Sequence, residues 1–169
     1  MSKYVLSIVV DNNPNVMARI SSLFARRRFN MTSVTAAQTS DPSVSIITIV
    51  TEGDAHVLDQ AVKQTRKLQE VKSITLLPRN ESLLSETIMI RLAFDDKNIS
   101  LIKDIVEVYR AQIIDLTSSS MVVQLTGKPS KIDGFLEVMS PYNIIEMCRS
   151  GIIGMPRGSQ SDWWKNSNA

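Results

Sequence analysis

The sequence predicts an α+β chain made of two successive units with the same element order, β-α-β-β-α-β. Three observations carry this. Short β-branched runs alternate with segments of helical spacing, the order recurs in both halves without visible sequence identity, and a polar, proline-led stretch at residues 78–85 separates the repeats. Two helices against one face of an antiparallel sheet would make each unit ferredoxin-like. The expected boundaries are residues 1–77, a linker at 78–85, a second unit at 86–158 and a polar tail at 159–169.

Each element has its own signal. Residues 4–10, YVLSIVV, have the length and composition of a strand. Asn12 and Asn13 are good N-cap residues and Pro14 suits a first helical turn, so a helix is expected to start there. Val16, Ile20, Leu23 and Phe24 then form one apolar helix face. Residues 31–38 and 44–51 read as strands joined through the Ser40-Asp41-Pro42-Ser43 turn, which makes them a hairpin. Gly53 and Asp54 break the run. Val57, Leu58, Ala61, Val62, Thr65 and Leu68 have helical spacing, and residues 71–77 close the first unit as a strand.

In the second unit Ile88, Ile90, Leu92 and Phe94 alternate as a strand, and Ile99, Ile102, Val106 and Tyr109 form a helix face. Strands at 112–117 and around Met121, Val123 and Leu125 follow. A helix bearing Ile132, Phe135, Leu136 and Met139 and a strand at 143–148 complete the repeat. Strand positions on both sheet faces are apolar, Val5 and Val9 as well as Leu6 and Ile8. A second face of that kind needs cover, from a second copy of the chain or from the other unit.

Composition narrows the function. The chain has 169 residues, 43 % of them hydrophobic, which is enough for real cores, and a net charge of only +2. Such a balance makes no case for nucleic acid or an anionic membrane. Arg26, Arg27 and Arg28 are read as complementing a helix C-terminus. One cysteine excludes an intrachain disulfide, and neither a signal peptide nor a membrane-spanning run is visible, so a cytoplasmic protein is expected.

Catalytic constellations are missing from the residue inventory. His56 is the only histidine and reads as a solvated side chain, while Cys148, among Ile144, Ile145 and Met147, reads as a buried, inert thiol. Gly127-Lys128-Pro129-Ser130 lacks the glycine and the Ser/Thr of a phosphate loop and is read as a turn with a helix cap. Gly151-Ile152-Ile153-Gly154 matches an RNA-binding GxxG loop in spacing alone. The RNA-recognition motif shares the βαββαβ order but needs stacking aromatics, and the strands in question offer Ile, Val and Thr. A strand running into an uncovered helix N-terminus, by contrast, suits a small carboxylate.

The stretch DNNPNVMARISSLFARRRFNMTSVT resembles the N-terminal ACT domain of the small, regulatory subunit of acetolactate synthase (acetohydroxyacid synthase). The family pattern there is E-N-x-x-G-A-L-x-R-[VI]-x-x-L-F-x-x-R-G-[YF]-N-I-x-S-L-T-V. The resemblance continues through Thr39-Ser40-Asp41-Pro42 and returns at Tyr109-Arg110-Ala111-Gln112, Gln124-Leu125-Thr126-Gly127 and Arg149-Ser150-Gly151. It implies a subunit without catalysis of its own that activates a catalytic large subunit. It also implies feedback inhibition by a branched-chain amino acid, usually valine, in valine, leucine and isoleucine biosynthesis. No cofactor is expected on this chain, with thiamine diphosphate, magnesium and FAD left to the partner.

The resemblance places the effector between two N-terminal ACT domains of a homodimer. Asn12 and Asn30 would supply side-chain contacts, and backbone groups near Asn15, Val16 and Met31 would complete the site. Two positions depart from the family. Asn15 and Arg28 stand where it has glycine, and Asn15 would project a side chain into the effector loop and weaken valine binding. The alternative is a free-standing amino-acid sensor of ACT type that controls another protein.

Overall fold

The computed structural model describes residues 2–26 and 29–158, with side chains except those of Ser2 and Val57. Arg27, Arg28, the Val57 side chain and the tail with Trp163 and Trp164 lie outside the described residues. The chain divides into two compact units. One comprises the chain up to Leu83 together with the segment from Ile152, and the other is Leu84–Gly151.

The first unit contains β1 (Ser2–Asp11), α1 (Val16–Arg26), β2 (Asn30–Gln38), β3 (Val44–Gly53), α2 (Ala55–Thr65) and β4 (Val71–Leu76). Its antiparallel sheet has the order β2-β3-β1-β4, so β2 and β4 are the edges. Alternation along β1 sends Leu6, Ile8 and Val10 to the helices, where Ile47, Ile49 and Ile74 join Ile20, Phe24, Leu58 and Ala61. Each fully buried side chain of this kind contributes about 1.5–3 kcal/mol. Phe24 and Phe29 meet with ring centroids 5.6 Å apart. Thr65, wholly buried, satisfies its hydroxyl by donating to the Ala61 carbonyl at 2.8 Å. Val5, Ser7, Val9 and Val50, at the other parity of the strands, are buried as well.

The second unit repeats the pattern with β5 (Ser82–Ala93), α3 (Ile99–Val108), β6 (Gln112–Leu116), β7 (Ser120–Gly127), α4 (Pro129–Met139) and β8 (Ile144–Arg149). The sheet order β6-β7-β5-β8 is the first unit's order again. Ile88, Ile90, Leu92, Ile102, Val123, Leu125 and Phe135 form the core. Glu86 is only 5 % exposed, and it is held by two guanidinium nitrogens of Arg149, Nε donating to Oε1 at 2.7 Å and Nη2 to Oε2 at 2.6 Å. That bonding, ahead of the opposing cost of burial, raises the Arg149 pKa above its ordinary value.

Both units thus adopt the α+β, ferredoxin-like order that periodicity predicted, and three details differ. β5 begins at Ser82, inside the stretch read as linker. A further strand, β9 (Ile153–Pro156), pairs with β5, and just beyond it the Arg157 N–H donates to the Glu81 carbonyl at 2.8 Å. Cys148 is exposed instead of buried. Its strand is a sheet edge, and it pairs across to Met89, which is itself 39 % exposed on the parity opposite to the buried Ile88 and Ile90.

Candidate functional site

The loop leaving β1 is fastened to the β2–β3 turn. The Asn12 backbone N–H donates to the Ser43 carbonyl at 2.7 Å, and its side-chain Nδ2 donates to the Pro42 carbonyl at 3.0 Å. Gln38 Nε2 donates to the same Pro42 oxygen at 2.8 Å. The turn is braced from within. The Thr39 N–H reaches the Val44 carbonyl at 2.9 Å, and Asp41 Oδ1 accepts from the Ser43 N–H at 2.9 Å and the Ser43 hydroxyl at 2.7 Å.

This fastening corrects the expected helix start. Asn12 does not cap α1, because its side chain is committed to a carbonyl thirty residues along the chain. Pro14 and Asn15 lie in a turn, and Asn15 has φ +73°, a left-handed conformation that no helix can pass through. The helix therefore begins at Val16, with the Arg19 N–H donating to the Asn15 carbonyl at 3.0 Å. Asn15 holds the conformation for which glycine is the usual choice.

Charges around this mouth are paired. Lys72 Nζ lies 2.9 Å from Asp11 Oδ1, and Arg19 of α1 forms an ion pair with Glu70, whose backbone carbonyl accepts from the Asp11 N–H at 2.8 Å. Arg19, Gln38 and Pro42 were not singled out by the sequence reading. The turn chemistry of Asp41-Pro42 was visible there; that it holds Asn12 was not.

The five expected site residues fall into two groups. Asn12, Asn15 and Val16 sit where β1 ends, at the level of Val44 in β3, since Asp11 pairs with Val44. Asn30 and Met31 start β2 opposite Glu52 and Thr51, at the far end of the same strand. Eight strand residues at about 3.3 Å each put roughly 26 Å between the two levels. Within one chain no small molecule touches both. Val16 is buried and Met31 half-buried against the core, so their side chains are committed to packing, whereas Asn12, Asn15 and Asn30 are exposed.

Elsewhere the chemistry is sparse. His56 is exposed, its backbone N–H donating to the capping Asp54 carboxylate at 2.9 Å. A shallow hollow of about 230 Å³ on the second sheet is lined by Met89, Arg91, Val122, Glu146, Met147 and Cys148, none of them an expected site residue. Among the described residues no three His, Cys, Asp or Glu side chains are grouped to hold a metal ion, and no helix is long and apolar enough to cross a membrane.

Comparison with known proteins decides the family. Residues 6–73 match the model of the AHAS small subunit-like ACT domain, and residues 85–158 match that of the small subunit of acetolactate synthase. The chain belongs to the acetolactate synthase small-subunit family. The acetolactate synthase small subunit of Buchnera aphidicola (subsp. Schizaphis graminum) is 36 % identical over 91 % of this chain and 98 % of its own length. The isozyme 3 small subunit of Escherichia coli is 35 % identical over 92 % of this chain and 96 % of its own. A crystal structure of the Thermotoga maritima small subunit superposes with a TM-score of 0.85 at 31 % identity, covering 94 % of this chain and 99 % of that one. The first unit of this small-subunit chain is an ACT domain.

Proposed function

We propose that this chain is the non-catalytic regulatory subunit of an acetolactate synthase. It binds and activates the catalytic large subunit and transmits feedback inhibition by a branched-chain amino acid, valine first among them. Thiamine diphosphate, magnesium and FAD belong in this reading to the large subunit, and the complex works in the cytoplasm. The effector lies between the ACT domains of two copies. Val16 and the backbone near Asn15 receive its carboxylate at the start of α1, and Asn12 of one copy and Asn30 of the other hold it from both sides.

One observation carries the two-copy site: the roughly 26 Å of strand between the level of Asn12 and that of Asn30. β2 is a sheet edge, and an edge strand can pair with the same strand of a second copy. Antiparallel pairing of two β2 strands about a two-fold axis sets the first residues of one against the last residues of the other. Asn30 and Met31 of one copy then lie beside the Gln38 and Asn12 end of its mate, and the separated groups become one crevice. Coupling of this kind is typically worth about 1–3 kcal/mol.

The test is complementation. Reconstituted with its cognate catalytic subunit, the wild-type chain raises synthase activity and valine lowers it. N12L and N30L chains each lose the valine response. Mixed in equal amounts and allowed to exchange, they regain about a quarter of the sites, because only mixed dimers hold one intact pair. A mixture that stays as unresponsive as its components rejects the shared crevice.

A further inference from the structure

The orientation of the Asn12 amide is set by chemistry. A backbone carbonyl can only accept, so the group of Asn12 that faces the Pro42 oxygen at 3.0 Å is the NH2, and its own oxygen, Oδ1, is left outward. The Pro42 carbonyl has two lone pairs, and the second is occupied by Gln38 Nε2 at 2.8 Å. With the Asn12 backbone N–H on the Ser43 carbonyl at 2.7 Å, the residue is gripped at two points by consecutive peptide groups of one turn. That turn is held in turn by Asp41 and by the Thr39–Val44 pair.

We infer that the β2–β3 turn is a specificity element of the effector site. The Pro42 carbonyl and Gln38 are positioning groups that fix Asn12 with Oδ1 as a neutral acceptor, so the site selects ligands carrying an ammonium group over the same carboxylic acid without it. The inference rests on the effector reading above and adds how that site discriminates. Free to rotate, the Asn12 amide would offer its NH2 as readily as its oxygen, and selection for the ammonium would fade. Gln38 never touches the ligand in this account; it acts by holding the Pro42 carbonyl that holds Asn12.

The full-length chain is titrated by two-dimensional NMR with L-valine and with 3-methylbutanoate, which keeps the carboxylate and isopropyl group and lacks the amine. The readout is the ratio of the two affinities, from which a general loss of site integrity cancels. The wild type favours valine. N12L reduces the ratio roughly tenfold and Gln38→Met roughly threefold, each with 3-methylbutanoate affinity nearly unchanged. Equal weakening of both ligands, or an unaltered ratio in both variants, overturns the turn's role while leaving the effector site standing. A wild-type chain that binds neither acid refutes the effector reading itself.

Discussion

The two units share one topology and differ in how the chain passes from first strand to first helix. In the second unit the passage closes on itself. Asp95 Oδ1 accepts from the Lys97 and Asn98 N–H groups, each at 3.0 Å, and Asn98 Oδ1 accepts from the Asp95 N–H at 2.9 Å. The carboxylate braces the turn ahead of α3, whose N-cap Asn98, at φ −111°, makes no side-chain cap hydrogen bond. Neither helix has an acidic residue in its first turn; in the first unit Asp11 is taken by Lys72, Asn12 is held by the Pro42 carbonyl, and the residue before the helix is left-handed at φ +73°. One fold therefore yields a loop fastened within itself and a loop fastened to a distant turn.

The broadest way to probe the comparison is through the cores, which are alike in construction. Phe24 and Phe135 are both fully buried, each against a second aromatic ring, Phe29 at 5.6 Å and Tyr109 at 5.2 Å between centroids. Phe24→Ala and Phe135→Ala should each cost about 3–5 kcal/mol. Denaturant unfolding gives the size of the loss, and hydrogen exchange should place it in residues 2–77 for the first and 84–151 for the second. A Phe24→Ala protein losing protection mainly in α3 and α4 would mean that the two cores are not separate stability units.

A smaller effect tests the closed loop. Asp95→Ala removes the acceptor of two backbone N–H groups ahead of α3 and should cost about 1 kcal/mol, the net worth of a typical hydrogen bond. Valine inhibition should be untouched, because the second loop has no part in the effector site. Loss of the valine response with α3 still folded, judged by circular dichroism, would show that the two loops are not divided in function as their hydrogen bonding suggests.

How much of this was legible in the sequence follows from the range of the interactions concerned. Strand and helix order depends on local periodicity, and of the positions read as helix faces Val16, Ile20, Phe24, Ile102, Val106, Ile132 and Phe135 are buried, while Leu23, Ile99, Tyr109 and Leu136 are partly buried against the same cores. Features set by distant partners were hidden. Asn12 carries every mark of a helix cap, yet the Pro42 carbonyl claims it. The burial of Glu86 has no local sequence signal, because its partner Arg149 lies far along the chain. β9 has four residues, IGMP, too few for periodicity to announce it, and it is a strand because it pairs with β5. Cys148 sits in an apolar sequence context, but its edge strand is exposed at both parities from Ile145 to Arg149. For the site, sequence named the residues by resemblance; only the strand register showed that they form two groups.

The smallest expected effect, and the sharpest for the comparison, concerns Asn15. At φ +73° an asparagine is tolerated and a glycine is at ease, so Asn15→Gly should change stability by only a few tenths of a kcal/mol. Ala has no such tolerance, and Asn15→Ala should cost about 1 kcal/mol by resisting the left-handed turn. The pair separates backbone from side chain. If the Asn15 side chain obstructs the effector loop, Asn15→Gly raises valine affinity roughly three- to tenfold, since it clears the mouth and keeps the turn. Asn15→Ala, which clears the mouth but strains the turn, should gain less or nothing. Calorimetry giving micromolar valine binding to the wild-type chain, with no gain on Asn15→Gly, would mean that the loop accommodates the amide and that the departure from glycine is neutral for sensing.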